Sequence, residues 1–127
     1  MNKGEFLARV KTTGGLASVK EAERWSRAVL TALVDLAPDS ETRRHFIAQL
    51  PAFLKTALLA EAPRALVMDH DAFVQHIGVA LGVRASEAER ALTSVWRVLR
   101  TAISAGEITA FEARIPKDVA SHLARAV

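Results

Sequence analysis

The chain has 127 residues, half of them apolar, with 17 Lys and Arg against 14 Asp and Glu, few aromatics and no cysteine. That length fits one domain with material for a sizeable core, and the alanine- and leucine-rich, glycine-poor mix favours packed helices over strands. The missing cysteine excludes disulfides, thiolate metal sites and cysteine nucleophiles, and the net charge of +3 contains no run of more than two adjacent bases, so charge alone names no partner.

Residues Met1 to Phe6 lack the apolar stretch of a signal peptide. No apolar run approaches the roughly 20 residues that span a bilayer, so the expected compartment is the cytoplasm. A first helix is expected around Phe6 and Val10, which share a face at i, i+4 spacing. Gly14 and Gly15 end it, since glycine takes the left-handed conformation without a Cβ penalty. Ser18 and Glu21 then form a capping box that opens a long helix. Its buried stripe is Ala22, Trp25, Val29, Leu33 and Leu36, and Pro38 stops it. A short third helix over 40–49 breaks at Leu50-Pro51, because the residue before proline is pushed out of the α region. Proline opens the fourth helix, 51–61, with Phe53, Leu54 and Leu58 inward. The joining stretch from Ala62 to Met68 is apolar for a linker, so Leu66, Val67 or Met68 should pack.

The second half repeats this order. Phe73 and Ile77 match Phe6 and Val10 at an offset of 67, as Gly82 matches Gly15. Glu87, Ala88, Glu89 and Arg90 match Glu21, Ala22, Glu23 and Arg24 at 66, and Phe111 and Pro116 match Phe46 and Pro51 at 65. Asp69 or Asp71 is the expected N-cap of the fifth helix, and Ser86 with Glu89 a second capping box. Gly106 is expected to cap the sixth helix. Helices over 107–114 and 116–125 complete the set, with Val119 and Leu123 inward. Trp25 aligns with Ala91 and Trp96 with Leu30, a large residue opposite a smaller one, as a shared core needs. The expected fold is an all-α bundle of about eight helices. It forms a single domain over 1–127, from pseudo-two-fold-related repeats at 3–62 and 69–125.

Candidate chemistry is sparse. The histidines are His45, His70, His76 and His122. His70 and His76 do not share a helix face, since six residues advance a helix by about 600°, so no metal site is expected. Asp69 and His70 read as a cap with a neighbouring surface histidine. Ser18, Ser40 and Ser86 read as caps, and no nucleophile elbow, phosphate loop or dinucleotide fingerprint occurs. No catalytic residue and no cofactor are therefore expected. The duplicated Glu-Ala-Glu-Arg set suits a first helical turn, where acids meet the helix dipole and pair at i, i+4. The remaining candidates are two basic stripes, Lys20, Arg24 and Arg27 on the second helix and Arg90, Arg97 and Arg100 on the sixth. Related by a pseudo-two-fold, they could form one surface for nucleic acid or another anion.

Phe6 and Val10, then Glu21 to Arg24, Gln49-Leu50-Pro51, Gly82, Ala88 to Leu92, Ile103 to Glu107 and Ile115-Pro116 together resemble the bacterial domain of unknown function 2267 family. The likeness covers nearly the whole chain. It implies a compact helical fold and a bacterial cytoplasmic protein, and it carries over no activity and no site residues. The function expected first is a non-catalytic helical module for protein–protein interaction or self-association, with nucleic-acid or anion binding as the alternative.

Overall fold

The computed structural model describes residues 1–60, 64 and 66–126. It is all-helical. The helices are α1 (Lys3–Gly14), α2 (Val19–Asp35), α3 (Ser40–Ala48), α4 (Ala52–Ala60), α5 (His70–Leu81), α6 (Ala85–Ala102), α7 (Ala105–Glu112) and α8 (Lys117–Arg125). None among the described residues is long and apolar enough to cross a membrane. The expected ends of the fourth helix and of the first repeat, at 61 and 62, lie outside the described residues.

Helix ends are set by local chemistry. Asn2, Ser18, Asp39, Asp69 and Ser104 each accept a hydrogen bond from the backbone N–H three residues on, satisfying one orphan donor of a first turn. Gly15 and Gly82 close α1 and α5 at φ of 65° and 69°. Gly14 serves differently: a Cβ there would lie 2.8 Å from Trp25 Cζ3, so its hydrogen lets α1 close onto α2.

Three cap expectations are corrected. Asp39 caps α3, leaving Ser40 as its first residue. Ser86 caps nothing, because α6 already starts at Ala85, with Arg84 in the N-cap position and no side-chain cap bond. The repeat register explains this: at the offset of 66 it is Arg84, not Ser86, that stands where Ser18 stands. Gly106 does not cap α6 either. The chain leaves α6 through extended Ile103, and Ser104 at once caps α7, so Gly106 lies inside α7.

The boundaries of α1 and α5 are 67 apart at both ends, and those of α4 and α8 are 65 apart. The packing is reciprocal as well: α1 lies against α2 and α6, and α5 lies against α6 and α2. Where α3 meets α7, the repeat-equivalent rings of Phe46 and Phe111 stack with centroids 3.9 Å apart. This arrangement is consistent with two related halves. One contiguous apolar cluster runs through both, with Phe6, Leu33, Phe73, Trp96 and Leu99 wholly buried. Burying surface of this extent supplies the main driving force for folding. Of the linker side chains, Leu66 and Met68 pack against this cluster, whereas Val67 is 92 % exposed.

Candidate functional site

α2 and α5 run antiparallel along one side of the molecule. At one end the Arg24 guanidinium donates to the Leu81 carbonyl, an acceptor left without an intrahelical partner at the C-terminus of α5. At the other end the Leu66 N–H donates to the Asp35 carbonyl at 2.6 Å. Between them lies an open groove of about 660 Å³. Its floor is small and apolar (Ala28 and Ala32, with Ala80 exposed at the edge), and its rim carries the guanidinium groups of Arg24, Arg27 and Arg64 beside the His76 imidazole.

Asp35 also lines the groove, but its carboxylate is bound by Arg43 at 2.6 Å, and both side chains are buried. Arg43 donates a second bond to the Leu58 carbonyl of α4 at 3.2 Å. The pair neutralises a carboxylate that would otherwise oppose the negative end of the α2 dipole and offset the charge of the groove.

The five candidate arginines and one lysine are distributed as follows. Arg24 and Arg27 share the α2–α5 groove, and Arg27 Nε also pairs with Glu23 at 3.4 Å. Lys20 is exposed on the first turn of α2. The Arg90 guanidinium lies 5.4 Å over the Trp25 ring, beside the Gly82–Val83 turn. Arg97 belongs to a different groove, between α1 and α6, where its Nε donates to the Ala126 carbonyl at 2.8 Å and Arg9 bonds Thr101 at 3.5 Å. Arg100 is half-buried in the last turn of α6. Several of these charges thus hold the fold together as well as facing solvent.

Sequence reasoning missed Arg64 and His76. Arg64 stands alone in an apolar linker, and His76 was weighed only as a metal ligand. A signal was present: His76 is the repeat equivalent of Arg9, so both halves carry a basic group at this point of their first helix.

His70 is corrected from a surface histidine to a buried one, 8 % exposed. Its ring stacks on His122 of α8 at 3.6 Å, its Nε2 meets Glu89 of α6 at 3.0 Å, and its backbone N–H donates to Asp118 at 2.7 Å. Glu89 therefore pairs between helices, as Glu23 does with Lys3 of α1 at 3.1 Å, while Glu23 also pairs with Arg27 within α2. The hydrogen bond from Lys3 is the main reason the Glu23 carboxyl is held below its usual range.

A second cavity, of about 320 Å³, lies between α3 and α7 over the Phe46–Phe111 stack. His45 and Glu107 meet across it at 2.8 Å. Asp39 on its rim is held below the usual carboxylate range, first by the Thr42 N–H it caps and further by Arg114. Among the described residues, no three His, Cys, Asp or Glu are placed to hold a metal ion.

A family model described as an uncharacterized conserved protein, DUF2267, matches residues 3–122. The chain belongs to the DUF2267 family. No curated protein matches it. In this DUF2267 chain the match takes in all of α1 to α7 and most of α8, and so includes both walls of the α2–α5 groove.

Proposed function

We propose that this DUF2267 chain is a non-catalytic helical module of the bacterial cytoplasm that works by binding another protein or a second copy of itself. The observation that carries the reading is the α2–α5 groove, an open channel with a small apolar floor and a cationic rim. Protein partners use both kinds of contact, apolar at the centre and polar at the edge. The reading is further supported by how the polar side chains of the bundle are used: Ser18, Asp39, Asp69 and Ser104 cap helices, and Asp35 and Arg43 neutralise each other. In-cell crosslinking followed by mass spectrometry, with a light-scattering mass of the purified chain, tests it. The expected result is a defined protein partner or a stable self-complex. A strict monomer with no crosslinked protein overturns it.

A second reading, nucleic-acid binding, is favoured by the three guanidinium groups of Arg24, Arg27 and Arg64 on one groove. Binding to duplex DNA across a salt series tests it, since each neutralised phosphate releases counterions and steepens the salt dependence. Absence of salt-dependent affinity at low ionic strength removes this reading.

A further inference from the structure

We infer that the α2–α5 groove is the docking site for an acidic, amphipathic peptide segment of a partner protein, with carboxylates on Arg27 and Arg64 and apolar side chains on the alanine floor. The inference rests on the protein-binding reading above and names the chemistry of the partner.

Three features converge on that occupant. The first is length. The groove follows α2 from Arg24 to Asp35, a rise of about 16 Å, which matches about three turns of a docked helix. The second is the placing of charge. Because α5 runs antiparallel to α2, Arg24 and Arg27 stand at one end, His76 lies partway along, and Arg64 is near the Asp35 end. Arg24 already holds Leu81, and Arg27 uses only Nε on Glu23, with its side chain 43 % exposed. With Asp35 neutralised by Arg43, the groove presents net positive charge to a partner. The third is the floor. Ala28 and Ala32 carry only methyl groups, as does Ala80 at the exposed edge, so a rod-like segment can approach closely and bury its own apolar side chains there.

A nucleic acid matches fewer of these features. A duplex would meet the arginine rim through phosphates and leave the recessed alanine floor uncontacted. A single strand would need aromatic faces for its bases, and among the described residues the only aromatic ring lining the groove is the His76 imidazole. The α1–α6 groove is a poorer candidate on the same molecule, because Arg9 and Arg97 are tied to Thr101 and Ala126.

The experiment pans a displayed library of random peptides of about 14 residues, the length of groove plus one turn, against the wild-type chain. Enriched peptides are then titrated by fluorescence anisotropy against wild type, Arg27→Glu/Arg64→Glu, and Arg114→Glu, which lies outside the groove. Circular dichroism checks that each variant folds. The expected result is that enriched peptides carry Asp or Glu together with Leu, Ile or Val at helical spacing. They bind wild type and Arg114→Glu alike, and Arg27→Glu/Arg64→Glu at least about tenfold more weakly, as two reversed charges require. Peptides without acidic residues, or undiminished binding to Arg27→Glu/Arg64→Glu, overturn the inference. So does a short duplex DNA that displaces the peptides and shows the same sensitivity to Arg27→Glu/Arg64→Glu. If a crosslinked protein partner is retained by that variant, the groove assignment fails and the protein-binding reading stands. If the chain is a strict monomer and no protein partner is found at all, the reading itself fails.

Discussion

Replacing Arg43 by methionine keeps much of its apolar stem and removes its charge. In the folded chain this strands Asp35, whose side chain is 4 % exposed and whose carboxylate has Arg43 as its ion-pair partner at 2.6 Å. It also takes a donor from the Leu58 carbonyl. Breaking a buried pair from one side costs about 3–5 kcal/mol, because the remaining charge stays desolvated. Against a total stability of about 5–15 kcal/mol for a domain of this kind, that is a large fraction. With a urea slope of about 2 kcal/mol per molar, the unfolding midpoint should fall by about 2 M. Urea titration followed by circular dichroism measures this directly. Arg43→Met/Asp35→Leu is the decisive companion: with both charges gone, stability should recover most of the loss, less about 1–3 kcal/mol for the unbonded Leu58 carbonyl. A single variant within about 1 kcal/mol of wild type, or a double variant no more stable than the single one, would falsify the claim that this pair is buried and coupled.

Three further outcomes follow from the geometry. Gly82→Ala should lose about 1–2 kcal/mol, measured by thermal melts; a Cβ there meets nothing within 4 Å, so the whole cost is the φ of 69°. The depressed Asp39 carboxyl contributes stability that is present at neutral pH and lost as the pH falls through its folded value, below the usual carboxylate range. Asp39→Asn keeps a capping oxygen and cannot be protonated in that range, so its melting temperature should fall less steeply on acidification; an unchanged acid limb would remove Asp39 as a contributor. His122→Leu removes the ring stacked on His70 at 3.6 Å and should cost about 1 kcal/mol. Hydrogen exchange should quicken first in α8, while α1 and α6 stay protected.

How the chain organises itself was legible wherever the cause is local. A capping serine or a left-handed glycine acts within a few residues, so Ser18, Gly15 and Gly82 could be read directly. The apolar period of α2 and α6 likewise fixes which face is buried before any partner helix is known. The local misreadings were caps placed a residue or two off: Ser40 follows the true cap Asp39, Gly106 lies past the Ser104 cap of α7, and Ser86 came from taking a capping pattern out of the repeat register. Of the groove, Arg24 and Arg27 were visible as a stripe, but Arg64 and His76 were not, because they come from elsewhere in the chain and only the antiparallel pairing of α2 with α5 brings them alongside.

The sequence by itself determined the order of the eight helices among the described residues, with matching motifs at offsets of 65 to 67, together with many of their caps and corners. Tertiary structure alone decided the polar positions: that Asp35 and Arg43 are buried against each other, that His70 lies under α8, and that the basic side chains divide between separate grooves. The reason is physical. An apolar stripe is pushed inward whatever covers it, whereas a charged side chain is core, cap or contact according to which neighbouring helix comes to lie beside it.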